Sequence, residues 1–487
     1  MAKKNDIVDF EQSPHIKPRQ CTGALLDIPT GRYHAGKYDD HLLNASCSNF
    51  IGYGGKGNTY KTTLALSKKV RLMSRYKTGI PNKDGSLVIY DCEGTFDWSR
   101  VSDLMDAYPN LNFIDMLSNK ELIVTNSDKH TGNQYWEIVK ARAAKRASEY
   151  RRLALETPFL DFYGNPISSI PTEHHLLDSI SEFTTDLVDG ITKDDIDAEK
   201  GDALRENLIK TRLIRQLGNV TSEGGMSMAI TAHIGKEHKL DRYSPGTEQL
   251  STLPKDLKFK NTPEKFTFLS THTWFIRKAT ALTNDTTKAA EYPMDGRNTQ
   301  MGDVDLQEAI LWNIRSKTGA TGHIIPLIIS QDYGLLPSLS EYHYLKKRKD
   351  AFGLTAPEGQ LKARRLELYP DVAMSRTKVR GQTDSDPRLC RALEITSELA
   401  QMYTFWMDLS SEYFISPEEI RAKLIEKKYN MDLLLDTRGY WKYDHYNKNH
   451  IPPLSTMDIL NMVLDRYVPW WYPDKDSLKI KRAPKAQ

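Results

Sequence analysis

The chain has 487 residues, too many for one ordinary core and suited to a large domain with attachments. Hydrophobic residues make up 39% and charged residues 27%, and no apolar run reaches the ~18 residues that a membrane helix needs. The 67 basic and 64 acidic residues leave +3, a total that by itself does not announce a nucleic-acid partner. The first residues, Met1 to Asp6, lead into no apolar stretch, so no secretory signal is expected. Cys21, Cys47, Cys92 and Cys390 are scattered without a C-x-x-C pair. A disulfide framework or zinc site is therefore not expected, and a reducing cytoplasm is the expected compartment.

In chain order, residues 1–47 are polar and punctuated by Pro and Gly, and read as an N-terminal arm. Ser48 to Tyr53 reads as a buried strand, followed by a glycine loop and a helix starting near Lys61. Ser86 to Tyr90 is a second strand, ending in Asp91-Cys92-Glu93. His174 to Leu177 ends in Asp178, and Met226 to Ala232 ends in His233. Strands that each end in a polar residue, with helical stretches between them, predict a parallel α/β sheet with its site at the strand ends. The 85 residues from Glu93 to Asp178 imply an insertion at about 110–170, with a helix over Tyr135–Leu155 rich in Ala, Lys and Arg. Gly235 to Phe266 shows no period and reads as a long loop. His272 and Trp274 follow in an apolar strand and read as core. The core is expected over 48–345, a basic helical region over 346–410, and a small domain over 411–478. That domain has a helix starting at Ser416-Pro417 and an aromatic end (Tyr467, Trp470, Trp471, Tyr472). The tail 479–487 is expected to be disordered.

The strongest chemical signal is Gly55-Lys56-Gly57-Asn58-Thr59-Tyr60-Lys61-Thr62, between a strand and a helix. The phosphate-loop pattern G-x-x-x-x-G-K-[ST] is met at Gly55, Lys61 and Thr62 and broken at Tyr60. Such a loop curls amides around phosphate oxygens, while the lysine reaches them and the hydroxyl holds Mg²⁺. Gly54, Gly55 and Gly57 are expected to supply backbone freedom, and Tyr60 is tolerable if its backbone is near helical. Gly55, Gly57, Asn58, Thr59, Tyr60, Lys61, Thr62 and Thr63 are the expected nucleotide cradle. The alternative is a glycine-rich turn before a lysine-bearing helix. Asp178 is placed to hold Mg²⁺ together with Thr62. Glu93 is placed to orient and deprotonate a water. For either carboxylate the alternative is an ordinary strand-end turn.

The order of these motifs resembles the RecA-like recombinases, most closely the phage UvsX branch, which also tends to place an aromatic before the phosphate-loop lysine. The resemblance covers roughly residues 45–345. It implies a RecA-like P-loop ATPase core with Glu93 as general base, and it makes His233 the residue that senses the γ-phosphate. In Trp312 to Thr318 it implies that Arg315 and Lys317 reach the ATP of a neighbouring subunit. Ile328 to Gly334 resembles the strand and turn closing the core. Arg100 stands where the family has the aromatic that stacks on adenine. The stretch after His233 falls at the family's second DNA loop, where Lys255, Lys258, Lys260 and Lys265 alternate with Phe259 and Phe266. Aromatic stacking plus phosphate neutralisation would suit single-stranded DNA; the alternative is a solvated basic loop whose aromatics pack on the core.

The activity implied is an ATP- and Mg²⁺-dependent filament on single-stranded DNA that promotes pairing and strand exchange. Its expected partners are DNA, further copies of the chain, and a loading or single-strand-binding protein, in a host cytoplasm if the chain is phage-encoded. A hexameric replicative helicase of the DnaB type and an ATP-switched scaffold without DNA binding are the competing readings. Residues 346–391 hold 12 basic and 6 acidic side chains, whereas Glu182 to Lys200 holds 7 acidic and 2 basic. DNA is therefore expected along the second loop and the basic shoulder, away from the first loop.

Overall fold

The computed structural model describes residues 16–94, 96–184, 198–236, 257–284, 287–294, 305–357, 359 and 362–473. In chain order, the hairpin β1 (Arg32–Ala35) and β2 (His41–Asn44) precedes β3 (Phe50–Gly55) and α1 (Lys61–Arg75). Next come β4 (Ser86–Asp91), α2 (Trp98–Asp106), α3 (Phe113–Ser118), β5 (Leu122–Asn126), α4 (Gly132–Ser148) and α5 (Tyr150–Leu153). A hairpin of β6 (Leu155–Leu160) and β7 (Pro166–Ser169) leads to β8 (Glu173–Asp178), α6 (Ala198–Glu223) and β9 (Met226–Lys236). After β10 (Leu257–Phe259) and α7 (Lys265–Leu269) the chain adds β11 (His272–Ala281), β12 (Leu306–Ser316), β13 (Ile324–Ser330) and β14 (Gly334–Leu335). The remainder holds α8 (Pro337–Lys347), the short pair β15 (Leu354–Thr355) and β16 (Arg365–Leu366), α9 (Val379–Ser385), α10 (Pro387–Phe405), α11 (Pro417–Glu426), α12 (Met431–Leu435) and α13 (Thr456–Val463).

One mixed, mostly parallel sheet organises the chain, in the order β14-β13-β12-β11-β3-β9-β8-β4-β5, with β10 added to β9. From β5 through β11 the neighbours run parallel; β12, β13 and β14 are antiparallel. β3 and β8 are buried along all six residues, as central parallel strands with helices on both faces require. The fold is α/β. Because β3 passes to β4 on one side and sits beside β11 on the other, its carboxyl end is a topological switch point, where open α/β sheets place ligands.

Local signals set the helix ends. Thr131 and Gln134 form a capping box on α4, and Ser416 accepts from the Glu419 amide ahead of Pro417 at the start of α11. The helix expected over Tyr135–Leu155 begins earlier and breaks at Glu149 into α4 and α5.

Three expectations need correction. Residues 16–47 are no arm: Cys21, Leu25, Leu26, Ile28, Leu42 and Leu43 join the main core. The Trp406 and Trp441 indoles, from the far end of the chain, donate to the Ile28 and Arg19 carbonyls at 3.1 and 2.8 Å. That same core runs on through Ile420, Leu460, Tyr467 and Tyr472, so residues 411–473 share it instead of building a separate one. The stretch Gly235–Phe266 is not all loop, since β9 runs on to Lys236, β10 pairs with it and α7 begins at Lys265. The insertion contributes β5 to the edge of the central sheet.

Candidate active site

The chain leaves β3 at Gly55 and enters α1 at Lys61. Leu64 is the first amide to donate within the helix, to the Tyr60 carbonyl at 2.9 Å. The amides of Lys61, Thr62 and Thr63 thus have no intrahelical acceptor, and the helix N-terminus favours an anion. Tyr60 is not near helical: it caps α1 with φ 61 and ψ 27, in the left-handed region. That conformation costs a residue with a β-carbon roughly 1–2 kcal/mol, and the Tyr60 ring offsets it by packing against the main core. Asn58 is left-handed as well, at φ 55. Gly57 has open space around it and no such backbone, so the need for glycine lies elsewhere. At Gly54 a β-carbon would lie 2.3 Å from the Phe259 ring, and at Gly55 2.5 Å from Thr59 Oγ1.

Strand register assembles the rest. Gly55 lies opposite His233, and Asp91 opposite Asp178, so the loop and three polar strand ends share one edge of the sheet. Asp178 is buried; its Oδ2 accepts from Thr62 Oγ1 at 2.7 Å and its Oδ1 from Thr231 Oγ1. Burial pushes the Asp178 carboxyl up, against the pull of the two hydroxyls. Lys61 is also buried, which pushes its amine down despite Asp178 and Glu93 nearby. Its Nζ donates to the Lys56 carbonyl at 2.9 Å, and Thr59 Oγ1 to the same oxygen at 2.8 Å.

Glu93 leans on His233, Oε1 to Nε2 at 2.8 Å, with both side chains partly exposed to solvent. The turn carrying Glu93 is held by Asp91, whose carboxylate accepts from the amides of Glu93 (3.0 Å), Gly94 (3.0 Å) and Phe96 (2.8 Å). Ser181 accepts from the His233 amide at 2.9 Å. Sequence reading missed Asp91, Thr231 and Ser181 as supports. Thr231, a hydroxyl set among Ala229, Ile230 and Ala232 two residues before His233, was the available signal.

Arg100, on α2, donates to the carbonyls of Gln331 and, at 3.3 Å, Asp332, at the end of β13. Asp305 braces the same turn, accepting from Ser330 Oγ at 2.7 Å, the Gln331 amide at 2.8 Å and Arg380 Nη2 at 2.6 Å. Burial raises the Tyr60 phenol, with Arg100 lowering it and Asp305 raising it. Tyr60, Arg100 and Asp305 thus flank one side of the loop.

Other expected site residues lie elsewhere. Arg315 pairs with Thr273, which pairs with Gly52. It therefore sits two strands from β3 and about 10 Å back from Gly55, toward the opposite edge. Its Nε is buried without a hydrogen-bond partner among the described residues. The exposed Lys317 donates to the Leu269 carbonyl at 3.0 Å. Lys255 lies outside the described residues. Lys258 on β10, Lys260 just after it and Lys265 at the start of α7 are exposed, but Phe259 turns inward. Its ring lies over Gly54 and meets Phe266 edge-on at 5.5 Å. That ring is spent on packing.

The basic shoulder is largely neutralised. Lys346, Lys347, Arg380, Arg388 and Arg391 pair with Glu291, Glu308, Asp305, Asp436 and Glu394, five carboxylates drawn from outside residues 346–391. A charge sum along the chain could not register partners that folding brings from elsewhere. Compared with known proteins, the chain matches no family model and no curated protein.

Proposed function

We propose that the chain is a DNA-dependent ATPase with a RecA-like core, which assembles as a filament on single-stranded DNA and promotes pairing and strand exchange. The observation that carries this reading is the meeting, at one carboxyl edge, of a phosphate loop, a buried carboxylate bonded to the loop threonine, and a surface glutamate paired with histidine. The strand order supports it, because β9 lies between β3 and β8 and sets His233 between the loop and the carboxylates.

The residues fit a nucleotide with Mg²⁺. Thr62 and Asp178 offer adjacent hard oxygens, and Asp178 is a buried carboxylate that a cation would relieve. The described residues contain no group of three or more His, Cys, Asp or Glu that could hold a metal alone, which suits a cation arriving with phosphates. When bound, Mg²⁺ would supply charge neutralisation at the phosphate oxygens. The free amides of Lys61, Thr62 and Thr63 bind phosphate, and Lys61 exchanges the Lys56 carbonyl for it. Glu93 takes the proton of the attacking water, and His233, in contact with Glu93, carries the state of the site to the chain beyond β9. Arg315 and Lys317, toward the opposite edge, serve a neighbouring subunit's site in an assembly.

Comparing the ATPase rate with and without single-stranded DNA, alongside electron microscopy with an ATP analogue, tests this. Stimulation and helical filaments support it; closed rings favour the helicase. A second reading, an ATP-switched scaffold, draws on the packed Phe259 and the neutralised shoulder. DNA-independent hydrolysis with filaments that form without DNA would favour it.

A further inference from the structure

The insertion carries two features that the ATPase reading leaves unused. At the tip of the β6–β7 hairpin, Phe162 and Tyr163 are 81% and 79% exposed, edge-to-face with ring centroids 5.7 Å apart. The turn presenting them is braced. Asp161 Oδ1 accepts from the amides of Tyr163 and Asn165, both at 2.8 Å; the Asp161 amide donates to the Asn165 carbonyl at 2.8 Å, and Gly164 is left-handed at φ 83. Two large aromatics on a rigid turn, with neither ring buried, are surface built for contact.

The second feature is a cleft of about 710 Å³ at the amino ends of β4 and β8, opposite the phosphate loop. Beside the arginines of α4 and α5, its lysines come from three places: Lys77 after α1, Lys120 before β5, and Lys145 on α4. From Lys140 to Arg152 the chain holds six basic residues and one acidic. The carboxylates in the cleft are largely committed. Glu173 is held by Arg142 at 2.6 Å and His175 at 2.8 Å, Glu149 by Arg152 at 2.6 Å, and Asp84 by Thr78 Oγ1 at 2.7 Å. Glu121 lies near Lys77, with burial raising its carboxyl against that lysine's pull. Lys120 and Lys145 are exposed on this wall. Leu153 lines the cleft and β6 starts two residues later, so the chain runs from the cleft wall to the aromatic tip over at most about 30 Å, the reach of several nucleotides.

We propose that this face binds single-stranded nucleic acid, with Phe162 and Tyr163 stacking on bases and Lys77, Lys120 and Lys145 facing the backbone. Lysines on a cleft wall, with exposed rings at the tip of a hairpin that leads from it, match the two needs of a single strand, phosphate neutralisation and a sequence-tolerant stacking platform. The site lies at the opposite edge from the nucleotide site and does not depend on hydrolysis.

Anisotropy titration of a labelled oligothymidylate by the full chain, without nucleotide, tests it. Phe162→Ala and Tyr163→Ala should each weaken binding roughly tenfold. Lys120→Ala with Lys145→Ala should flatten the salt slope by about 0.7 per lysine. Phe162→Leu with Tyr163→Leu keeps an apolar tip and should bind as poorly as the alanine pair; leucines that restore binding would overturn stacking. Unchanged oligonucleotide affinity in all these variants overturns the proposal, as does a changed sedimentation coefficient with unchanged affinity, which would assign the tip to a protein contact. Loss of ATPase activity leaves this titration readable, so the two readings fail separately.

Discussion

Asp178→Asn should make the nucleotide-free protein more stable while abolishing its response to Mg²⁺-ATP. The carboxylate is 7% exposed and burial raises its pKa, so at neutral pH the folded chain holds a charge it disfavours. An amide fits the same place: one oxygen accepts from a threonine hydroxyl and the nitrogen donates to the other, since hydroxyls rotate to suit. Replacing a costly buried charge by a satisfied neutral group gains on the order of 1–2 kcal/mol, a few degrees at most in a chain of this size. The pH dependence follows from a raised folded-state pKa. The stability contributed by the protonated group is fully present below the unfolded pKa and is lost as pH rises through the folded one. Variant and wild type should therefore keep a constant difference below about pH 4, and the variant should gain on wild type as pH rises from there toward neutrality. With Mg²⁺-ATP at a hundred times its Kd, wild type should gain about 2.7 kcal/mol and the variant almost nothing. Thermal melts at two pH values, with and without Mg²⁺-ATP, give all four quantities. A variant less stable than wild type in the absence of ligand, or one that keeps the full ligand-induced gain, would refute the placement of Mg²⁺ on Asp178.

Three further outcomes follow from the same geometry. Glu93→Gln should lower ATP turnover about 10²- to 10⁴-fold with little change in nucleotide affinity, read by steady-state hydrolysis and a fluorescent-nucleotide titration; normal turnover counts against Glu93 as base. Arg315→Ala mixed with Glu93→Gln should recover part of the activity that each lacks alone, because Arg315 lies too far from its own loop; co-assembled protein without recovery removes its role in trans. Arg142→Ala should destabilise the fold by about 2–3 kcal/mol in denaturant titration. It strips a bonded cation from the buried Glu173, with Arg146 at 3.8 Å softening the loss.

Much of the sheet was legible because its signals are local. Ser86–Tyr90, His174–Leu177 and Met226–Ala232 are short apolar runs ending in polar residues, and each lies within a strand, β4, β8 and β9. The turn between β3 and α1 was legible for the same reason, down to the helix beginning at Lys61. Tyr60 was misjudged. A backbone angle one residue before a helix depends on how the loop closes over Lys56 and how the ring packs, and neither is written in the residue type.

Phe259 and the basic shoulder show the limit from the other side. Alternating lysine and phenylalanine is equally a nucleic-acid loop and an edge strand with one face buried; pairing with β9 over Gly54 chose the second. Which strands form, and which polar residues end them, follows from local residue patterns, because those patterns are set over a few neighbouring residues. Folding in three dimensions is what brings His233 to Glu93 and Thr231 and Thr62 to Asp178, joins residues 16–47 to the core, and largely cancels the +6 of residues 346–391 with carboxylates from elsewhere. Each of these is a contact between residues far apart in the chain, created by strand register and helix packing, and a net charge or a motif read along one dimension carries no information about which partners folding will bring.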